Sequence, residues 1–502
     1  MDCRKRRLFL AKLFLAVAVA GALVLGPAEA MAAKAKYVFL FIGDGMGLPQ
    51  SNAAEMYKAS LAGFDKPGIV KLNFNEFPAQ GMTTTYSIDS LITDSAAAGT
   101  AMASGVKTTN AGVGVDGLNK PVKTIAEMAR DAGYKVGIVS SVSLDHATPA
   151  AFYAHQPTRK NYYEIGLELA QSGFDYFAGG GFVDPDGKKS KLQGDKVNVV
   201  ENAKKAGYTF VNDATGFKAL KPGSRKVIFV NPRLQDENAM AYALDNVPGD
   251  ITLADLTAKG IELLDNKNGF FMMVEGGKID WACHANDALS SIKDTLAFEE
   301  AVAQAIEFYK KHPKDTLIIV TGDHETGGLT LGFASTKYEA YFSRLNGQKV
   351  SYVAFDQKFN ALLKAATKPS FEQALAMVEQ NFGLKAAGDA KDPMLLKDYE
   401  LASLKDAFAR ALAGEYEKSK SEQEYLLYGG YNPFSVTATH ILNQKAGLGW
   451  TSYSHTGVPV LTTAIGVGCE KFNGFYDNTD MFLKMTETMG LKSKVIYLSK
   501  AN

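Results

Sequence analysis

Phe270-Phe-Met-Met-Val-Glu275-Gly-Gly-Lys-Ile-Asp280-Trp-Ala-Cys-His284 joins an unbroken apolar run to two carboxylates and an imidazole. Phe270 to Val274 suits a strand buried on both faces, the kind found in parallel sheets covered by helices. A turn of helix after the glycine pair sets Asp280 and His284 at i and i+4 on one face, close enough to hold a single metal ion. Glu275 lies too far back to join them, so it would serve a second ion or orient a water. The stretch therefore predicts a strand end in an open α/β sheet, where such folds gather their ligands.

The same alternation extends outward. Short apolar runs at Tyr37–Ile42, Gly81–Tyr86, Lys135–Val139, Lys226–Val230 and Thr316–Thr321 read as further strands. Helical periodicity falls at Thr124–Ala132, Tyr162–Ser172, Leu253–Leu264 and Asp287–Tyr309. The fold class is α/β, with a large, mostly parallel central sheet flanked by helices. From about Ser335 to Gly447 the chain turns rich in Lys, Glu, Ala and Leu at helical spacing, as in Phe355–Ala366, Phe371–Phe382 and Leu401–Tyr416. Residues 335–447 thus read as a helical insertion (a lid, a crown or an interface element), after which Val460–Val467 returns to the sheet and a helix near Met481–Met489 closes the chain. The catalytic domain would comprise 33–334 and 448–502.

Lys+Arg and Asp+Glu stand at 54 each, so no net field favours nucleic acid or an anionic membrane. An anionic ligand must be held by a local site. Arg4-Lys-Arg-Arg7, an apolar stretch through Leu25 and small residues near Ala28-Glu-Ala30 predict an export signal over residues 1–32. The mature chain would then be periplasmic or extracellular with no membrane span, and Arg6-Arg7-Leu-Phe-Leu10 resembles a twin-arginine leader. Of three cysteines, Cys3 leaves with the signal, and Cys283 and Cys469 need no bridge in so large a chain.

Other polar clusters also follow apolar runs. Gly43-Asp44-Gly45 places an acid at a strand end, although Gly-Asp-Gly alone is a common turn. Thr93-Asp94-Ser95-Ala begins a helix of very small residues. Ser95 could cap that helix, or its hydroxyl could face a site where the helix N-terminus favours negative charge. His146-Ala-Thr148-Pro leads to His155 and to Arg159, whose planar fork matches two phosphate oxygens. Asp323-His324 follows Leu317–Val320, and His455-Thr-Gly457 precedes the last strand. The chain has 7 histidines, and His146, His155, His284, His324 and His455 all fall in these clusters. That concentration favours a polymetal site over scattered structural histidines.

In this order the motifs resemble those of the alkaline phosphatases. Gly43-Asp44-Gly-Met-Gly, Thr93-Asp94-Ser95-Ala, His146-Ala-Thr148-Pro-Ala with Arg159, Glu275-Gly-Gly-Lys-Ile-Asp280 with His284, Asp323-His324 and His455-Thr-Gly carry the resemblance. It implies hydrolysis of phosphate monoesters through a phosphoserine at Ser95, releasing inorganic phosphate. It also implies one Zn2+ on Asp280, His284 and His455, a second Zn2+ on Asp44, Asp323 and His324, and Mg2+ on Asp44, Thr148 and Glu275, with Arg159 binding phosphate and the enzyme a homodimer. His146 and Trp281 stand where the best-known bacterial members carry aspartate and lysine. They would border substrate, and imidazole near the third ion opens that position to zinc or cobalt. Rival readings are a phosphodiesterase or sulfatase of the same superfamily and a noncatalytic phosphate- or metal-binding protein of the cell envelope.

Overall fold

The computed structural model describes residues 34–62, 68–224, 226–365, 369–414 and 421–499, so the expected export signal lies outside the described residues. Ten strands form the main sheet. In chain order they are β1 (Tyr37–Gly43), β2 (Ala79–Thr84), β3 (Lys135–Ser140), β4 (Tyr176–Gly179), β5 (Thr209–Val211), β6 (Val227–Val230), β7 (Phe270–Gly276), β8 (Thr316–Gly322), β9 (Val460–Gly466) and β10 (Gly474–Asp477). Across the sheet the order is β10-β2-β9-β8-β1-β7-β3-β4-β6-β5. Every neighbouring pair is parallel except the two made by β9, which runs against β8 and β2.

Central strands are apolar throughout because both faces are covered. Tyr37, Phe39 and Phe41 of β1 enter one core with Phe270, Met272 and Val274 of β7, while Val38, Leu40 and Ile42 enter the other with Phe271 and Met273. This is the period-two alternation of a strand with a hydrophobic layer on each side. β2 begins two residues before the expected Gly81–Tyr86, since Ala79, Gly81 and Thr83 face inward and the ladder ends at Thr84. Sequence reading missed β4, β5 and β10, which are 4, 3 and 4 residues long, too short to display a period.

The helices Ile125–Asp131, Tyr162–Ser172, Leu253–Leu264 and Ala288–Lys311 fall where periodicity places them. Beyond β8 come the helices Tyr352–Ala365, Phe371–Phe382, Asp398–Ala413, Glu422–Tyr428 and Pro433–Ala446. Their Phe355, Phe359, Phe382, Phe408 and Phe434 share the core that holds Phe39 and Phe41, so these helices extend one layer of the sheet. Each fully buried phenylalanine contributes roughly 1.5–3 kcal/mol of transfer free energy. The segment leaves and returns through a two-residue ribbon that pairs Glu325 with Thr456 and Thr326 with His455. No described helix is long and apolar enough to cross a membrane.

Candidate active site

Adjacent parallel strands deliver three carboxylates to one edge. Ile42 of β1 pairs with Glu275 of β7 and with Thr321 of β8, so Asp44, Glu275 and Asp323 emerge side by side at the strands' C-terminal ends. β9 runs the other way, and His455 just before it arrives at the same edge. Asp280 and His284 sit on the helix Lys278–His284 directly after β7. Gly45 turns the chain with φ 69, and a Cβ there would lie 2.8 Å from the Asp280 Cα, which is why glycine follows the acid. Its N–H donates to Asp323 Oδ1 at 3.1 Å.

Ser95 is the first residue of the buried helix Ser95–Ser104, but it does not cap it. Asp94 does, accepting from the Ala97 N–H at 2.9 Å. The serine hydroxyl is thereby free to face His324, with Oγ 3.2 Å from Nε2. Arg159 donates to the other oxygen of Asp94 at 3.1 Å and lies 2.9 Å from His146 Nε2, so two side chains aim the guanidinium. Trp281 stands edge-on to His146, with ring centroids 5.6 Å apart.

Hydrogen bonds fix the tautomers of three histidines. His284 Nδ1 lies 2.6 Å from the Tyr453 carbonyl and His455 Nδ1 2.7 Å from the Thr93 carbonyl, so both must carry their proton on Nδ1. Thr326 gives its hydroxyl proton to Asp280 Oδ1 at 2.5 Å and accepts from His324 Nδ1 at 3.2 Å. All three rings therefore turn an Nε2 lone pair inward. His284 and His455 face each other Nε2 to Nε2 at 3.1 Å with no proton between them. Asp280 Oδ2 is 3.2 Å from His284 Nε2, while Asp44 Oδ1 and Asp323 Oδ2 stand 3.4 and 3.3 Å from His324 Nε2.

Lone pairs brought together this way call for cations. Asp44 Oδ1, Asp323 Oδ2 and Glu275 Oε1 are buried with no hydrogen-bond partner. Leaving such an atom unsatisfied costs about 1–3 kcal/mol. Burial, reinforced by Asp323, Asp280 and Glu275, raises Asp44 well above the usual carboxylate range, and burial with Asp280 does the same to Asp323. Burial pushes Glu275 up to about 7. Burial and then Arg159 drive His146 down to about 3, and burial lowers His324 and His455, so these rings are neutral. Burial alone would lower His284, but the charge and hydrogen bond of Asp280 together with the Tyr453 carbonyl turn the net shift upward.

Donor atoms within 4.8 Å of one another form three groups: Asp280 with His324 and His455, Asp44 with Asp323 and His324, and Asp44 with His146 and Glu275. Carboxylate and imidazole sets of this kind suit zinc, and the oxygen-rich third suits a harder ion modified by one imidazole. Divalent cations thus fit the residues present. Thr148 Oγ1 donates to Asp44 Oδ2 at 3.4 Å beside the third group.

Every expected site residue meets at this edge, but His155 does not. It bonds the Gly114 carbonyl at 2.7 Å and Glu127 at 3.3 Å instead. Cys283 also points away, toward Gln50 and Ser291, and both described cysteines are free thiols. Sequence reading missed Asp94 as cap and arginine partner, Thr326 as tautomer setter, and the wall formed by Tyr162, Asp236, Glu237, Tyr352 and Tyr431. Thr326 has a local signal, lying two residues after His324. Tyr352 and Tyr431 have none, because they return to the site from the helical segment beyond β8.

The alkaline phosphatase family model matches residues 35–491. Alkaline phosphatase 4 of Bacillus subtilis is 34% identical over 459 residues, covering 89% of this chain and 87% of that protein. Alkaline phosphatase 3 of the same organism is 32% identical, covering 92% and 90%. The crystal structure of a cold-active alkaline phosphatase from Shewanella sp. superposes with a TM-score of 0.73 at 28% identity, covering 90% of this chain and 99% of that one. A nucleophile-sized hydroxyl beside paired cation sites and an arginine fork agrees with those matches: the chain belongs to the alkaline phosphatase family and is a phosphate monoester hydrolase.

Proposed function

We propose that this chain hydrolyses phosphate monoesters through a phosphoserine formed on Ser95. One observation carries the reading: Ser95 Oγ lies 3.2 Å from Nε2 of His324, the residue shared by two of the three donor groups. Asp280, His284 and His455 would hold one zinc, Asp44, Asp323 and His324 a second, and Asp44, Thr148 and Glu275 a magnesium, with His146 close enough to admit zinc or cobalt instead. Bound there, the ions supply Lewis acidity and positive charge opposite the transferring phosphoryl group. We also read residues 1–32 as an export signal that sends the enzyme to the periplasm or beyond, and expect a homodimer.

Arg159 orients the ester by offering its fork to two phosphate oxygens while Asp94 and His146 hold the guanidinium in place. Ser95 gives up its hydroxyl proton to solvent at a helix N-terminus, where unpaired N–H groups favour negative charge. Its Oγ then bonds phosphorus as the bond from phosphorus to the ester oxygen breaks, and the departing alcohol takes up a proton from solvent. Water attacks the phosphoserine as the Oγ–phosphorus bond breaks; one of its protons returns to Ser95 by way of solvent, and its oxygen leaves with the phosphate.

Acid quenching of a labelled monoester reaction tests this directly. Label should appear on the peptide containing Ser95, and continued hydrolysis with no label there overturns the covalent route. Rates on an aryl monoester, a diester and a sulfate ester separate the rivals: the monoester should lead by more than about tenfold, and a faster diester or sulfate would replace the proposed substrate class.

Trp281 gives a further prediction. Its ring borders the cavity, and the Lys278 ammonium lies 4.7 Å from its centroid. Trp281→Lys adds a cation on the phosphate side, so the inhibition constant for inorganic phosphate should fall by about tenfold. Unchanged inhibition in a competition assay would show that position 281 does not face product.

A further inference from the structure

Ser95, Arg159, the zinc-side ligands and an outer wall share one cavity of about 340 Å³. With phosphate held by Ser95 and Arg159, the alcohol of an ester must extend along that wall. Tyr162, Glu237, Trp281, Tyr352 and Tyr431 line it, and among the described residues the cavity carries no lysine or arginine besides Arg159. Tyr352 and Tyr431 stand at right angles, centroids 5.7 Å apart and planes at 87°, making an aromatic corner. Their faces carry the negative side of the ring quadrupole, which attracts cations.

Glu237 sits at the tip of a tightly held loop. Asp236 beside it is anchored by Lys278, a fully buried ammonium 2.5 Å away that also lies 3.7 Å above the Tyr242 ring. On the other side Asn238 donates to the Phe182 carbonyl at 2.8 Å and accepts from the Gly181 N–H at 2.7 Å. Between these clamps Glu237 adopts φ 47, a left-handed conformation that residues other than glycine seldom take. Lys278 neutralises Asp236, whereas Glu237 makes no hydrogen bond or ion pair among the described residues. A solvent-facing glutamate is ordinarily only hydrated, but this one is held against a cavity wall. Burial raises the Tyr162 and Tyr431 hydroxyls; at Tyr431 Asp280 and Asp236 add to the rise ahead of Glu237, and at Tyr162 Glu237 adds to it against Arg159.

We propose that Glu237, with the ring corner of Tyr352 and Tyr431, forms a leaving-group subsite that selects phosphate monoesters of small alcohols bearing an ammonium group. The proposal rests on the monoester reading above and adds the chemistry of the alcohol. Phosphocholine and its neutral isostere 3,3-dimethylbutyl phosphate test it in the zinc- and magnesium-loaded enzyme, because they differ in charge and hardly in shape. The wild type should favour phosphocholine by about tenfold in kcat/KM, and Glu237→Gln should bring the ratio below about threefold. Tyr431→Leu, which opens the corner and keeps the carboxylate, should lower the ratio as well. A wild-type ratio near one, or a ratio that Glu237→Gln leaves unchanged, overturns the subsite. Failure to cleave either ester or 4-nitrophenyl phosphate would instead overturn the monoester reading beneath it.

Discussion

Replacing Ser95 with alanine should lower kcat on a simple aryl phosphate by about three to five orders of magnitude, the scale on which removing a covalent nucleophile is felt. The melting temperature should hardly move. The helix Ser95–Ser104 is capped by Asp94, whose oxygen bonds the Ala97 N–H at 2.9 Å, so alanine at 95 removes no cap. Alanine is also a better helix former than serine, which offsets the small loss of contact with His324. Activity and stability are thus uncoupled at this position, and steady-state kinetics beside thermal unfolding measure both. Residual activity within tenfold of the wild type would remove Ser95 from the reaction. A fall of many degrees would show that the serine holds the fold instead.

Chelation should remove more than about 99% of activity, because the ions supply charge stabilisation that no side chain here replaces. The return of metal has its own signature in protons. Burial lifts Glu275 to about 7 and raises Asp44 and Asp323 well above the usual carboxylate range, so in the metal-free protein Glu275 is about half protonated near neutral pH and must surrender that proton to coordinate. His324 and His455 are lowered and already neutral, and release none. The sign follows: affinity at the Glu275 site should weaken as pH falls through about 7, by about tenfold per pH unit for the Glu275 proton alone and more steeply where Asp44 is protonated too. Metal titration in buffers of differing protonation enthalpy counts the released protons. Affinity that is flat from pH 6 to 8, with no proton release, would mean the carboxylates are ionised before metal arrives.

The sheet was legible where strands are long and buried on both faces. β1, β7 and β8 each show an unbroken apolar run, and the polar residues at or just beyond its end gather at one edge of the sheet. β4 and β5 were invisible because so few residues carry no period, and their place is set by hydrogen bonds from β3 and β6. His155 shows the opposite error. It shares a motif with His146, yet nine residues of chain carry it round to Glu127, and sequence proximity carried no information about direction. Tyr352 and Tyr431 mark the deeper limit: their partners at the mouth, Tyr162 and Glu237, lie more than a hundred residues away in the chain.

The ribbon joining Glu325–Thr326 to His455–Thr456 pins both ends of the helical segment to one spot on the rim. Because β9 is reversed, the chain can leave after Asp323 and re-enter at His455 without crossing the sheet. Everything between those two points is a detour whose length the ligands do not register. Such a seam would let the segment that carries Tyr352 and Tyr431 change in length or composition while the ligands on either side of it keep their places.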